Sequence, residues 1–369
     1  MLILAIETSC DDTCAAVIKT EEADSNKTDF NSVVLSSIVS SQAKKHAQYG
    51  GIYPSLAARE HEKNLPKVLK IALKEAGLKS PSDVDYIAVT KGPGLAVSLW
   101  KGVNFANQLS EVYNKPLIPV NHMEGHILSN WLKPVGINKK INKKENAQFF
   151  PSVCLVVSGG HTELILMKDY GKYELIGKTR DDAAGEAFDK ISRILDLGYP
   201  GGPAISNIVE KQSSKIKNKK PDIKLPRPMI NSKDFDFSFS GLKTAVLYLA
   251  KGQNQNSKNK KIPILLKAQI AAEAQDAIVD VLVSKTIRAA KKYKVKSIML
   301  SGGVSANKLL REKLVMESNK EKIPVFIPEL EYTMDNAAMI GIAAYIKVIN
   351  RDKEPKQKEV EANANWELV

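Results

Sequence analysis

Two segments half a chain apart share one design, and that repetition constrains the fold more than any other feature. Residues 2–19, LILAIETSCDDTCAAVIK, run as an apolar strand, a polar turn of small and acidic residues, and a second apolar strand. Residues 153–168, VCLVVSGGHTELILMK, repeat the design with SGGHT as the turn. Each reads as a hairpin with buried strands and a polar tip. One such hairpin near the start of each half predicts two related lobes facing each other, with both tips pointing into the cleft. At 369 residues the chain is long enough for two cores. The lobes are expected over 1–128, joined by part of 336–369, and over 129–335.

The elements between the hairpins mix strands with helices, which predicts an α/β protein. Ser55–Ala76 has helical apolar spacing and stops at Gly77; Val84–Thr90 is a buried-type strand ending at KGPG, followed by a helix over Leu95–Leu109. Lys115–Val120 is a strand leading straight into NHMEGH. In the second half Ala183–Leu195 and Ile264–Lys292 read as helices and Ser297–Leu300 as a strand before SGGVSAN. Asp335–Ile349 reads as an apolar, Ala-rich helix opened by an Asp cap, and the charged, weakly periodic tail after Arg351 is expected to be mobile.

The net charge of +13 raises the question of a polyanionic partner. Three Asn- and Lys-rich stretches, 133–148, 211–224 and 251–261, together carry an excess of thirteen positive charges, so the rest of the chain is neutral overall. They read as loops or insertions. A polyanion held there through counterion release is one reading. A solvated surface is the other, and only seven of the 54 basic residues are Arg, the better phosphate fork. No apolar run spans a bilayer, so no membrane association is expected. Three cysteines, Cys10, Cys14 and Cys154, form no C-x-x-C pair and fit a reducing cytoplasm.

Three Gly- or Ser-rich turns follow apolar strands: ETSCDD, SGGHT and SGGVSAN. Small residues let backbone N–H groups approach an anion, so three such turns in one chain predict a phosphate or nucleotide site. P-loop and dinucleotide fingerprints are absent from the sequence. His122 and His126, four apart around Glu124, predict a metal pair. A helix advances about 100° per residue, which places the two imidazoles within about 40° of each other and Glu124 about 180° from their midpoint. In H-E-x-x-H proteases the Glu lies only about 80° from that midpoint, so Glu124 points the wrong way to activate a metal-bound water.

The sequence resembles the tRNA N6-adenosine threonylcarbamoyltransferase family in its bacterial form, over nearly its full length. The resemblance rests on IETSCDDT (6–13), KGPGL (91–95), NHMEGH (121–126), LVVSGGHTEL (155–164), DDAAGEAFDK (181–190), YPGGP (199–203), LPRPM (225–229), FSFSGLKT (237–244), SGGVSAN (301–307) and TMDNAAMI (333–340). It implies an α/β, two-lobed fold of the actin-like and sugar-kinase-like ATPase superfamily, with the active site in the interlobe cleft. It implies transfer of a threonylcarbamoyl group from threonylcarbamoyl-adenylate to N6 of the adenosine 3′ of the anticodon, in tRNAs reading codons that start with A, with release of AMP.

By the same resemblance His122, His126 and Asp335 bind one divalent metal, Fe(II) ahead of Zn(II). Val156, Val157, Ser158, Gly159 and Gly160 line the phosphate and carbamoyl end of the adenylate, and Asp189, Gly202 and Asn307 hold its ribose and base. Asp11 and Asp12 are the candidate catalytic carboxylates. Asp12 stands where bacterial members usually carry Glu, a carboxylate shorter by one methylene. Partners implied are tRNA, an inactive paralogue of the same fold and a small P-loop ATPase. Plain readings stand beside these: Asp335 and Asn307 as helix or turn caps, Asp189 as a solvated or Lys-paired helix residue. Two other functions stand as alternatives, a metallopeptidase and a nucleotide-binding regulatory ATPase of the actin-like class.

Overall fold

The computed structural model of the chain describes residues 1–22, 30–137, 139–141, 149–218, 223–252, 262–350 and 359–369. Its strands are β1 (Leu2–Glu7), β2 (Asp12–Glu22), β3 (Phe30–Ser41), β4 (Tyr86–Gly92), β5 (Leu117–Asn121), β6 (Lys139–Ile141), β7 (Ser152–Val157), β8 (Thr162–Asp169), β9 (Lys172–Lys178), β10 (Ser297–Ser301) and β11 (Val325–Phe326). Its α-helices are α1 (Ala43–Ala47), α2 (Pro54–Glu75), α3 (Ala96–Tyr113), α4 (His122–Leu128), α5 (Ala184–Ile194), α6 (Gly201–Lys211), α7 (Ser213–Asn218), α8 (Ser240–Gly252), α9 (Ile264–Tyr293), α10 (Lys308–Lys320) and α11 (Ala337–Ile349). About half of the three Lys-rich stretches, residues 138, 142–148, 219–222 and 253–261, lies outside the described residues.

The chain forms two compact units. One comprises Met1–Phe150, Met167–Glu174 and Ile327–Val369; the other comprises Pro151–Leu166 and Leu175–Phe326. The main divisions fall at Phe150/Pro151 and Phe326/Ile327, with Met167–Glu174 also in the first unit, where the sequence predicts divisions after residues 128 and 335. In the first unit the sheet order is β5-β4-β1-β2-β3-β6, and in the second it is β11-β10-β7-β8-β9. Five strands therefore repeat in the same order: the hairpin strands β1 and β2 correspond to β7 and β8, and the later strands β4 and β5 to β10 and β11. In both units the first hairpin strand pairs parallel with a later strand, β1 with β4 and β7 with β10. The repeat seen in the two hairpins is the repeat of the whole sheet.

In the first unit the sheet is apolar because β1, β4 and β5 are buried on both faces. α11 is buried from Ala337 through Ile346 and packs on β1 and β2. Gly341 permits this, since a Cβ there would stand 3.1 Å from two atoms of Ile18. The helix begins one residue later than the sequence suggested. Its N-cap is Asn336, whose side chain accepts from Met339 N at 2.9 Å, so Asp335 is not the cap and its carboxylate is left for other chemistry.

The tail also departs from expectation: residues 351–358 lie outside the described residues, but 359–369 are docked, not mobile. Val360 is 2% exposed and belongs to the core around Leu4, Ile6 and Val84. Its backbone N–H and C=O both bond the Asn107 side chain. Further on, Asn363 N donates to Lys91 O at 2.8 Å, Gly94 N donates to Ala364 O at 3.1 Å, and Asn121 Nδ2 donates to Trp366 O at 3.0 Å. Low apolar periodicity hid this because the segment is held mainly through its backbone.

In the second unit the 30-residue helix α9 supplies a long buried face, packed on α6 and α10. Asp181 of the DDAAGEAFDK stretch ties it to FSFSGLKT: its carboxylate accepts from Phe239 N and Ser240 N at 2.8 and 3.3 Å and from the Ser238 and Ser240 hydroxyls at 2.5 and 2.6 Å. Arg227 of LPRPM bonds Asp280 with both Nε and Nη2. These two motifs serve to lock the unit's loops onto its helices.

Candidate metal centre

Strand β5 ends at Asn121, which turns the chain into α4. Its side-chain oxygen accepts from Met123 N at 2.9 Å and Glu124 N at 3.4 Å, capping the helix whose first residue is His122. α4 packs on α11 because Gly125 lacks a side chain; a Cβ there would meet Ile340 Cδ1 at 3.0 Å and Met339 Cγ at 3.2 Å. That packing brings both histidines of α4 to Asp335, just ahead of α11. Asp335 Oδ1 lies 3.5 Å from His122 Nε2 and 3.2 Å from His126 Nε2. One ligand atom from each residue can be chosen so that all lie within 4.8 Å of one another.

The donor set fits a cation. Nitrogen and oxygen donors each about 2.1 Å from one ion stand about 3.0–3.4 Å apart, close to the two spacings seen. His126 is fully buried; among the described residues its Nδ1 has no hydrogen-bond partner, and its Nε2 faces the Asp335 carboxylate. A buried imidazole with one nitrogen left unbonded is costly unless something else, such as a cation, organises the ring. Burial also holds His126 below the usual imidazole range, in the neutral form that a metal needs. Burial would lower His122 too, but the carboxylates of Glu7 and Asp335 outweigh it and push it up to about 9. Glu124 is a poor candidate for a base: the Tyr173 hydroxyl donates to its Oε1 at 3.1 Å, on the helix face that periodicity assigned away from the histidines.

The ETSCDDT turn adds more negative charge. Asp11 is pushed up by burial and by Asp335. Asp12 is raised to about 7, by burial first and then by Asp335, Asp11 and Glu7, against a hydrogen bond from Ser41. Its Oδ1 is buried without a hydrogen-bond partner among the described residues. His61 clamps this turn: Thr13 Oγ1 lies 2.8 Å from Nδ1 and Cys10 O 3.0 Å from Nε2, the pattern of a neutral ring with its proton on Nε2. The Cys14 thiol donates to Asp335 O at 3.6 Å. Four carboxylates, Glu7, Asp11, Asp12 and Asp335, interact electrostatically here, an arrangement that a bound cation relieves.

A pH prediction follows for the metal-free protein. Asp12 binds its proton more tightly folded, near 7, than unfolded, near 3.8, so its contribution to stability is full below about pH 4 and is lost as pH rises through 7. Three units correspond to on the order of 2–4 kcal/mol. Denaturant titrations at pH 5 and pH 8 should show stability falling with pH in the wild type and falling less in Asp12→Asn. Equal slopes would count against a strained Asp12.

The adenylate-binding candidates all lie in the second unit. Val156 and Val157 end buried strand β7, and the turn after it is closed by Ser158 N donating to His161 O at 2.8 Å. Gly185 of α5 lets the turn sit close, since a Cβ there would lie 2.5 Å from Ser158 O; Gly302, at φ +85°, does the same against Val157 O at 2.4 Å. Gly159, Gly160 and Gly202 face open space, where a ligand backbone contact can form. Asp189 Oδ1 accepts from Gly201 N at 2.6 Å and so fixes the start of α6 beside Gly202. Asn307 does cap a helix: it accepts from Leu310 N at 3.0 Å, while its Nδ2 donates to Gln275 Oε1 at 3.1 Å.

A family model described as tRNA N6-adenosine threonylcarbamoyltransferase matches residues 33–342. Among curated proteins bearing that name, the one from Thermosipho melanesiensis is 47% identical over 345 residues, covering 94% of each chain. The one from Persephonella marina is 46% identical over 349 residues, covering 94% of this chain and 90% of the relative. Among solved structures, HypF from T. kodakarensis superposes with a TM-score of 0.50 at 13% identity, over 94% of this chain and 48% of that one. That last likeness concerns the fold alone.

Proposed function

The chain belongs to the tRNA N6-adenosine threonylcarbamoyltransferase family, and from that premise we propose how its residues divide the work. The activity is transfer of a threonylcarbamoyl group to N6 of the adenosine 3′ of the anticodon in tRNA. In the balanced reaction N6 attacks the carbamoyl carbon of threonylcarbamoyl-adenylate, the carbon–oxygen bond to phosphate breaks, AMP leaves, and N6 gives up a proton.

The observation that carries the site assignment is the His122, His126 and Asp335 group, whose donors converge in the first unit. These residues hold one divalent ion; two imidazoles and a carboxylate with open positions suit Fe(II) first and Zn(II) second. When bound, the ion supplies Lewis-acid polarisation of a carbamoyl or phosphate oxygen. Asp12, with its unbonded buried oxygen and its affinity for a proton near neutrality, takes the proton that N6 loses, and Asp11 supports it electrostatically. The open backbone of Gly159 and Gly160 after Val156, Val157 and Ser158 receives the phosphate and carbamoyl end. Asp189, Gly202 and Asn307 bind the nucleoside.

Family membership is also the basis for proposing an inactive paralogue and a small P-loop ATPase as protein partners. Among the described residues no helix is long and apolar enough to cross a membrane, and a cytoplasmic setting goes with the tRNA substrate.

The test is purified protein with threonylcarbamoyl-adenylate and unmodified tRNA, read as modified nucleoside after digestion. Chelation should abolish the product and Fe(II) should restore it more fully than Zn(II). Asp12→Ala should lower transfer by about 10²-fold or more with the fold retained; wild-type rates in that variant remove Asp12 from the mechanism. AMP release without modified nucleoside would indicate a bare hydrolase, and chelator-sensitive peptide cleavage a peptidase.

A further inference from the structure

Glu7, the last residue of β1, is fully buried and was not singled out by its sequence context. Its carboxylate is bonded from three elements. Oε1 accepts from Ser9 N in the following turn, and Oε2 accepts from Thr90 Oγ1 of β4 at 2.5 Å. The same Oε2 lies 3.0 Å from His122 Nδ1 at the start of α4. Thr90 is also fully buried and Ser9 is 2% exposed, so no water is needed to complete the arrangement.

The chemistry of these partners decides which ring nitrogen carries the proton. A carboxylate only accepts, and its other two partners are an N–H and an O–H, so His122 must present Nδ1–H to it. The second neighbour of Nδ1, Ser9 Oγ at 3.2 Å, does not choose: a hydroxyl accepts from Nδ1–H or donates to a bare Nδ1 equally well. Only Glu7 breaks that degeneracy. With Nδ1–H committed to Glu7, Nε2 is the nitrogen left to give up its proton and offer a lone pair to a cation on the side of Asp335 Oδ1, 3.5 Å away.

We propose that Glu7 is the positioning residue for His122: its buried carboxylate fixes the Nδ1–H form and the ring orientation, leaving Nε2 as the metal-binding atom. This rests on the reading of His122, His126 and Asp335 as a metal group. Buried carboxylates behind ligating histidines govern metal affinity in this way, and losing one costs about 10–100-fold. Thr90 and Ser9 in turn hold Glu7 in place, which extends the support to β4 and to the turn that carries Asp11 and Asp12.

Glu7→Gln is the discriminating variant, because an amide can donate to a bare Nδ1 and so permits the wrong tautomer at almost constant volume. Zn(II) affinity and stoichiometry should be measured by chelator competition for the full-length wild type, Glu7→Gln, Thr90→Val and His126→Ala. The wild type should bind one ion and His126→Ala should lose it. Glu7→Gln should bind about 10–100-fold more weakly, with Thr90→Val between it and the wild type. Ring-nitrogen NMR of the zinc-loaded wild type should show His122 bound through Nε2 with Nδ1 protonated.

Wild-type affinity in Glu7→Gln, with His126→Ala impaired, overturns the positioning role alone. Ligation of His122 through Nδ1 does the same, and it can be read even if Glu7→Gln does not fold. A wild type that binds no zinc, or a His126→Ala that binds normally, overturns the metal group and this role with it.

Discussion

Asp335→Ala should lose metal binding and transfer together while the protein stays folded. Asp335 Oδ1 is the oxygen that both Nε2 atoms face, at 3.5 and 3.2 Å. Removing a direct donor should cost more than the roughly 10–100-fold typical of an outer support. The fold should tolerate the change because the helix is capped by its neighbour, Asn336. The metal-free variant should even relax electrostatically, since Asp335 is among the charges that raise Asp11, Asp12 and Cys10. Asn336→Ala is the converse control: it should cost about 1 kcal/mol of stability through the lost cap while leaving all three donors in place. Isothermal titration with Zn(II) and thermal unfolding of both variants separate the two roles. A destabilised Asp335→Ala with intact metal binding would return Asp335 to a structural part.

That one-residue distinction shows where sequence reasoning stopped. Asp335 and Asn336 are both good caps, and nothing local says which one turns inward. The duplicated hairpins were legible because burial on both faces writes continuous apolar runs, and the parallel neighbours β4 and β10 were legible for the same reason. The helical geometry of NHMEGH was enough to turn Glu124 from the histidines, and Tyr173 takes it there. Glu7 was hidden because an acid closing an apolar strand looks like the first residue of a polar turn. Its partners, Thr90 and His122, are 83 and 115 residues away, so only the folded sheet reveals that it points inward. The expectation of a mobile tail failed over residues 359–369 because apolar periodicity reports side-chain burial and is blind to a segment tied by backbone groups.

Gly92→Ala should undo that tail. A Cβ on Gly92 would stand 1.8 Å from Asn363 O, a backbone atom that cannot rotate away, so the variant must release the segment around Asn363. Release loses the bonds from Asn363 N to Lys91 O, Gly94 N to Ala364 O and Asn121 Nδ2 to Trp366 O. It also loses the stacking of Lys91 and Lys347 over Trp366, at 5.4 and 5.0 Å from the ring centroid. Each hydrogen bond contributes about 0.5–1.5 kcal/mol net and each cation–π contact about 0.5–1. Regained chain entropy offsets part of that sum, leaving a loss on the order of 3 kcal/mol and a fall in Tm of roughly 5–10 °C. Deleting residues 359–369 should cost at least as much, because Val360 then leaves the core as well. Adding Gly92→Ala to the deletion should cost almost nothing further, since the atom it collides with is gone; such non-additivity marks two changes acting through one contact. Additive losses would show that Gly92 is needed for the β4 backbone itself, and that the tail is not what forbids a side chain there. The metal centre supplies a second readout. Asn121 both caps α4 and holds Trp366 O, so loss of the tail should loosen the cap behind His122 and weaken zinc binding, by less than Glu7→Gln does, because the cap's own acceptor remains.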